Sequence, residues 1–455
     1  MVLIRKSKSN SLVSDIRAVL LKHVNPGNRL TIGLSGGVDS VVLLHALAML
    51  SKEMQFMLAA VHVNHGISGN ASYWSKFCCD LCYSYQIPIH VAYVQVKKGT
   101  GLSLEASARD QRYRIFDSMQ ADYVVLAQHL DDQAETMLLQ LFRGAGLKGL
   151  SAMPVVRNQC AAHAPKILRP LLEVSRSHIE AYARQNELTW ITDESNDDTT
   201  FNRNFLRHDV LPIIRKRFPH YPDMLLRSSR HLSEAALLLD ELAQIDRDNC
   251  LVAGKLHIEK LRQLSLPRAR NLFRYSLSLQ GANLPSTARL HEILKQLLAL
   301  SPDHQFHMSF GNTEIRSYQG AIYILSRQEK AEEFTEYRNV WHGEAFPHIQ
   351  HNHGTLHFIE SKGQGIRSEK LLGYMISIRL RKGGERFMPA CNRPRRSLKN
   401  LLQEASIPPW ERMQVPLLFC EDKLVWVAGI GIDCEFQAGS EDFGILPIWN
   451  SSPSF

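Results

Sequence analysis

The sequence has no long uninterrupted apolar run. The longest, Val41 to Leu50, is broken by His45 and is about half the length a membrane span needs, so no spanning helix is expected. Cysteine is sparse: Cys78, Cys79, Cys82, Cys160, Cys250, Cys391, Cys420 and Cys434 among 455 residues. The basic opening MVLIRKSKSN leads into no apolar segment of the kind an export signal carries. Reduced thiols in a cytosolic protein are therefore expected. No second paired-cysteine motif accompanies Cys78-Cys79-x-x-Cys82, which reads as the apolar face of a helix rather than half a metal site. His348, His351, His353 and His357 are loosely spaced in a polar segment and read as surface loop. No Gly-Lys-Ser/Thr occurs, which excludes the phosphate loop that grips its ligand with lysine. There is no internal repeat or low-complexity tract, and 44% hydrophobic content is too high for a disordered chain.

What is present is length enough for roughly two to four domains at about 100–200 residues each. Lys plus Arg number 53 against 45 for Asp plus Glu, a net charge of +8 and a mild lean toward polyanions. The first half alternates short β-type runs with helical patterns: strands over 30–34, 57–63, 87–94 and 123–127, helices over 41–50, 71–86, 104–119 and 131–143. Such alternation implies a parallel sheet covered on both faces, with ligands at the carboxyl ends of its strands. From about 215 the apolar spacing turns helical, with strand signal returning at 303–325. Ser326–Arg338 is polar, and short strands resume near 370. The expected fold is α/β, with a parallel-sheet N-terminal domain (1–215), a mainly helical middle domain (216–325), a linker (326–369) and a small basic α+β C-terminal domain (370–445).

The sharpest local signal is Ser35-Gly36-Gly37-Val38-Asp39-Ser40, at the end of one strand and the start of a helix. Two glycines let the backbone approach a ligand closely. The helix start offers free N–H groups and a positive dipole end to an anion. A second constellation is His129-Leu130-Asp131-Asp132-Gln133-Ala134-Glu135. Asp132 and Glu135 lie in the first turn of a helix and away from its apolar face, so they suit a site, although Asp-x-x-Glu also fits a helix cap. His62-Val63-Asn64-His65-Gly66 closes the second strand beside the glycine loop. Arg109 and Arg112 sit one turn apart and can reach a phosphate or a base together, or pair with Glu105. Near the C-terminus Arg379, Arg381, Lys382, Arg386, Arg393, Arg395, Arg396 and Lys399 face one acid, Glu385, across 21 positions. This is the pattern of a nucleic-acid backbone footprint. Arg203, Arg207, Arg215, Lys216 and Arg217 form a second basic group, either contacting RNA or bridging domains. Trp410, after Pro408-Pro409, is read as packing against Leu401 rather than stacking on a base.

SGGVDS, HVNHG, EASARDQRY and AQHLDDQAET, in this order and spacing, resemble the bacterial tRNA(Ile)-lysidine synthase family of ATP pyrophosphatases. RPLLEVSRSHIEAY, the run Trp190-Ile191-Thr192-Asp193-Glu194-Ser195-Asn196, Phe201-Asn202-Arg203-Asn204 and the block LRKGGERF…RRSLKNLLQEASIPPWER carry the same resemblance. It covers most of the chain and is thinnest in the middle helices and over 326–370. It implies an N-terminal Rossmann-like ATP pyrophosphatase domain and attachment of lysine to C2 of the wobble cytidine of an isoleucine tRNA with a CAU anticodon. ATP first adenylates the C2 oxygen, releasing pyrophosphate; the lysine ε-amine then displaces AMP.

On the same basis Ser35, Gly36, Gly37, Val38, Asp39 and Ser40, with His62 and His65, are expected to bind ATP. Asp39, Asp132, Glu135, Arg109, Arg112 and His129 are expected at the reaction. Asp39 and Asp132 are candidates for Mg²⁺, and the division of the acids between metal and lysine stays open. Arg203, Arg207, Arg379, Arg381, Lys382, Arg386, Arg395, Arg396 and Lys399 are expected to contact tRNA. The oligomeric state is open, a homodimer included. Competing readings are a tRNA thiolase, which should show reactive paired cysteines; an amidating ligase, which needs an ammonia source; and an RNA-binding protein that merely keeps the loop.

Overall fold

The computed structural model describes residues 9–66, 68–94, 104–158, 164–192, 194, 198–282, 284–301, 304–326, 334–351 and 354–451. Cys160, Asp193, Ser195, Asn196 and His353, together with most of the expected linker start, lie outside them. The chain forms two compact units, Met1–Leu239 and Asp240–Phe455.

The first unit opens with α1 (Ser9–Leu20), β1 (Arg29–Gly33), α2 (Val38–Met54), β2 (Met57–Asn64), α3 (Ala71–Ser84) and β3 (Ile89–Tyr93). It continues with α4 (Leu104–Asp117), β4 (Tyr123–Val125), α5 (Leu130–Phe142), α6 (Leu147–Leu150), β5 (Val156–Arg157), β6 (Lys166–Leu168), α7 (Arg176–Gln185), α8 (Asn202–Phe205), a π-helical turn (Leu206–Val210) and α9 (Leu211–Arg217). The sheet order is β3-β2-β1-β4-β6-β5, parallel except for β5.

Leu30 and Ile32 on β1 are fully buried, because the strand is covered on both faces. Helix α2 is apolar nearly all round, and Val42, Leu43, Leu44, Ala46, Leu47 and Leu50 are buried in one core with α1 and α7. The chain adds β2 and β3 on one side of β1, then crosses to place β4 on the other. That reversal opens a crevice at the carboxyl ends of β1 and β4, where such sheets hold ligands.

Helix α10 (Tyr221–Cys250) leads into the second unit. There β7 (Leu251–Val252) and β8 (Lys255–His257) form a hairpin, followed by α11 (Ile258–Arg262), α12 (Leu266–Leu279), α13 (Thr287–Ala299), β9 (His307–Phe310), β10 (Thr313–Tyr318) and β11 (Ala321–Ser326). The sheet β7-β8-β11-β10-β9 shares a core with the three helices. The hairpin was not legible because two- and three-residue strands show no alternation.

The remainder holds β12 (Tyr337–Val340), β13 (Ile349–His351), β14 (Gly354–Lys362), β15 (Ile366–Arg367), β16 (Met375–Leu380), β17 (Arg386–Phe387), β18 (Arg396–Ser397), α14 (Leu398–Glu404), β19 (Pro416–Cys420), β20 (Lys423–Val427), β21 (Gly431–Ile432) and β22 (Phe443–Ser451). The expected linker 326–369 is therefore corrected: it contributes β12 to one sheet and β13, β14 and β15 to another. Its strands exist through distant partners, Tyr337 opposite Ile378 and Leu356 opposite Trp449, so local polarity hid them.

Two further expectations are corrected. Cys391 and Cys434 are joined as a disulfide, with 5.4 Å between their Cα atoms, where reduced thiols were expected throughout; the fold brings together positions 43 apart. Trp410 packs edge-on against Tyr318 and Tyr323, at 6.3 and 5.2 Å between ring centres, not against Leu401. Cys78 and Cys82 do lie on the buried face of α3, and burial pushes both thiols up to about 12.

Candidate active site

The glycine loop is held before any ligand arrives. Ser40 Oγ accepts from the backbone N–H groups of Ser35 (3.3 Å) and Gly36 (3.2 Å) and donates to the Gly37 carbonyl at 2.9 Å. Gly36 has φ +88°, and a Cβ there would stand 2.3 Å from Ile191 Cδ1, so only glycine fits. Gly37 caps α2 without a side-chain hydrogen bond, which leaves the first-turn N–H groups facing the crevice. The loop opens on a cavity of about 550 Å³, whose walls include Asp39, His62, His65, Arg109, Arg112, Gln128, Asp132, Arg203 and Arg207.

Across the cavity, α5 starts with a reciprocal cap. The His129 N–H donates to Asp132 Oδ2 at 3.0 Å, and the Asp132 N–H donates to His129 Nδ1 at 3.4 Å. The capping reading of this segment thus holds for Asp132, with His129 rather than Glu135 as its partner. His129 Nε2 stands 3.5 Å from Asp132 Oδ2 and 3.8 Å from Asp39 Oδ1. His129 is 2% exposed and links the glycine loop to the acid pair.

The acids meet the protein's own cations. Arg203 donates to Glu135 Oε2 at 2.6 Å and to Asp132 Oδ1 at 2.7 Å. Arg207 donates to Glu135 Oε1 at 2.7 Å and Oε2 at 2.9 Å, and reaches Asp132 Oδ1 at 3.4 Å. Glu135 is 1% exposed with both oxygens engaged. The two guanidinium groups expected on an RNA-facing surface therefore stand over the buried acids at the cavity wall. Two arginines four apart and two acids three apart each place both groups on one helical face, but nothing local pairs the one set with the other. Asp131, next in the chain, ties other helices, accepting from the Arg176 N–H (2.9 Å) and from Arg215 (2.8 Å).

The electrostatics separate the two aspartates. Burial acts to raise Asp132, but His129, Arg203 and Arg207 outweigh it and hold its carboxyl below the ordinary range. Burial also dominates at Asp39, and there it wins: the carboxyl is raised despite His129 and Arg176. Asp39 Oδ1 is buried with no hydrogen-bond partner. Both ring nitrogens of His65 are likewise buried and unpartnered, and burial with Arg112 and His62 pushes its pKa down to about 4. His62 Nδ1 donates to the Leu34 carbonyl at 2.8 Å, fixing its tautomer. Asn64 holds the strand exit by donating to Ser75 Oγ and the Ala71 carbonyl and accepting from the Gly66 N–H. Trp74 and Phe201 also line the cavity; nothing local marked Trp74, and Phe201 was quoted only within the motif Phe201-Asn202-Arg203-Asn204.

The C-terminal basic stretch is less open than its charge count implies. Arg379 lies 3.9 Å over the Phe419 ring. Arg381 pairs with Glu385, Arg395 with Asp433 and Glu435, and Arg396 with Glu404. Lys382, Arg386 and Lys399 are exposed, and Arg386 donates to the Arg395 carbonyl rather than to an acid.

A parallel sheet with a glycine-rich anion loop at its switch point and buried acids opposite defines a nucleotide-handling enzyme of the PP-loop class, and the PP-loop domain model matches residues 8–214. The TilS substrate binding domain matches 256–323, and the TilS substrate C-terminal domain matches 376–449. The tRNA(Ile)-lysidine synthase of Nitrosomonas europaea is 50% identical over 433 residues, covering 95% of this chain and 94% of that protein. That of Coxiella burnetii is 39% identical over 421 residues, covering 92% of each. A U34-tRNA thiolase from Methanococcus maripaludis is similar at 18% identity and a TM-score of 0.44, over 50% of this chain and 79% of the thiolase. The chain belongs to the tRNA(Ile)-lysidine synthase family.

Proposed function

We propose that this protein joins lysine to C2 of the wobble cytidine in tRNA(Ile) bearing a CAU anticodon, at the expense of ATP. The observation that carries the reading is one cavity bounded by a preformed anion loop and by a buried acid–arginine cluster, in a chain that aligns with the family almost end to end. The loop N–H groups of 35–40 would hold the departing pyrophosphate. The cytidine C2 oxygen attacks the α-phosphate, the bond to pyrophosphate breaks, and the C2 oxygen becomes part of a good leaving group. The lysine ε-amine then forms the C2–N bond as AMP departs.

Arg203 and Arg207, fixed by Glu135, would offer preorganised positive charge to the phosphate where negative charge develops. Asp39, with an unpartnered buried oxygen, would face the cationic amine and take up its proton. Neutral His65 would accept a hydrogen bond from the nucleotide. The family implies Mg²⁺. Among the described residues no three-ligand cluster exists, but Asp39 Oδ1 and Asp132 are hard oxygen donors, and Mg²⁺ keeps several waters and substrate oxygens as ligands. Bound there, it would neutralise phosphate charge. The exposed Lys382, Arg386 and Lys399 would meet tRNA phosphates.

The test is incorporation of labelled lysine into a tRNA(Ile) transcript with a CAU anticodon, with AMP measured alongside. Incorporation that requires ATP, with one AMP formed per lysine, is expected, and Asp39→Asn should slow it by about 100-fold. AMP formation without incorporation, or an unaffected Asp39→Asn, would overturn the reading.

A further inference from the structure

One part of the cavity lining, Arg109, Tyr113 and Gln128, lies against a buried arginine. Arg169, directly after β6, is 2% exposed. Its Nε donates to Gln128 Oε1 at 2.5 Å and its Nη1 to the Pro154 carbonyl at 2.9 Å, and its guanidinium also bonds the Tyr113 hydroxyl. None of these three partners is a carboxylate, an unusual setting for a buried cation. Two further guanidinium groups converge on the same ring, Arg157 at 4.7 Å and Arg109 at 5.1 Å from its centre.

Arg169 can only donate, so the Gln128 oxygen is committed to it and the Gln128 amide NH₂ must point elsewhere. Gln128 lines the cavity, as do Arg109 and Tyr113. The electrostatics agree with crowded positive charge. Burial lowers Arg169, with Arg157 and Arg109 adding to it. Burial would raise Tyr113, but Arg109, Arg169 and Arg157 together draw it below its ordinary value.

We propose that Gln128 and Arg109, supported by the charge of Arg157 and Arg169 around Tyr113, form a second oxyanion site, at the carboxyl ends of β4 and β6 and separate from the glycine loop at the end of β1. The inference rests on the proposed reaction, whose ATP phosphates belong to the loop. Two other oxyanions then remain to be held: a phosphodiester of the RNA and the α-carboxylate of lysine. Both present the same chemistry to this wall.

The test is Gln128→Glu in the full-length protein. The side chain keeps its shape and its bond to Arg169 but replaces the donors with a negative charge, so the fold is retained and the site repels anions. Binding of L-lysine and of the CAU-bearing tRNA(Ile) transcript is measured in the presence of a non-hydrolysable ATP analogue, with binding of the analogue itself as reference. One of the two substrates should weaken at least tenfold, while the analogue changes less than twofold. If RNA is the one affected, the salt slope of its binding falls by about one. If lysine is, 1,5-diaminopentane, which lacks the carboxylate, binds wild type and variant alike. Arg157→Gln should weaken the same substrate, which keeps the test open should the first variant unfold. Lysine and RNA both within twofold of wild type, or a tenfold loss confined to the ATP analogue, would overturn the site. Failure of the proposed reaction shows instead in the wild type, as absent lysine transfer.

Discussion

The acid–arginine cluster of the first unit and the Arg396–Glu404 pair of the second both join arginine to acid, but at different depths. In the cavity Arg203 and Arg207 are 27% and 24% exposed, and Glu135 beneath them is 1% exposed. In the second unit Arg396 and its partner Glu404 are 32% and 55% exposed. Water screens the second pair and scarcely reaches the first. The difference teaches that a count of basic residues says little about function. A buried pair fixes the position of a charge, while an exposed one contributes little to stability and leaves recognition to its unpaired neighbours.

The largest expected effect tests this contrast directly. Glu135→Ala leaves two guanidinium groups clustered without their common anchor and should cost about 3–5 kcal/mol in urea unfolding. Glu404→Ala, which removes an exposed partner, should leave urea unfolding nearly unchanged. Lysine transfer should fail in the first variant and persist in the second. Equal costs would erase the distinction between the two regions.

What was legible in the sequence follows the same line. The parallel sheet, the glycine loop and the acids at the start of α5 were readable because each depends on neighbours in the chain: strand and helix periods, Gly36 at a positive φ, a cap three residues long. The partners of the acids were not, because Arg203 and Arg207 reach Asp132 and Glu135 across about 70 positions. Arg169 opens the run RPLLEVSRSHIEAY, but no role was read for it from sequence; its burial and its bond to Gln128, 41 positions away, mark it. Strands β12 to β15 were hidden for the same reason, since their partners come from elsewhere in the fold.

A smaller effect probes how dry the cavity is. His65 is held neutral, with its pKa pushed down to about 4 by burial, Arg112 and His62. The unfolded chain therefore binds a proton between about pH 6.5 and 4 that the native state refuses. Stability must rise with pH across that window and fall on acidification. Asp132, held below its ordinary value, adds its own loss only at more acidic pH. Urea unfolding at pH 7 and pH 5 should show a drop that His65→Gln reduces by about 1 kcal/mol, allowing for partial exposure. An unchanged drop would mean that water reaches His65 freely and that the cavity is no drier than the C-terminal surface.

The smallest effect concerns which cations of the second unit are available to RNA. Lys382, Arg386 and Lys399 are exposed, whereas Arg395 is tied to fully buried Asp433 and to Glu435. Each phosphate contact contributes about 0.9 to the slope of log affinity against log salt. Lys382→Gln, Arg386→Gln and Lys399→Gln together should therefore flatten the slope of tRNA binding by up to about 3 while leaving unfolding nearly unchanged. Arg395→Gln should do the reverse, lowering stability because Asp433 loses its partner while the slope holds. If Arg395→Gln flattens the slope as much as the triple change, the paired arginines exchange their acids for phosphates on binding. The exposed pairs would then be reserves of recognition rather than parts of the scaffold.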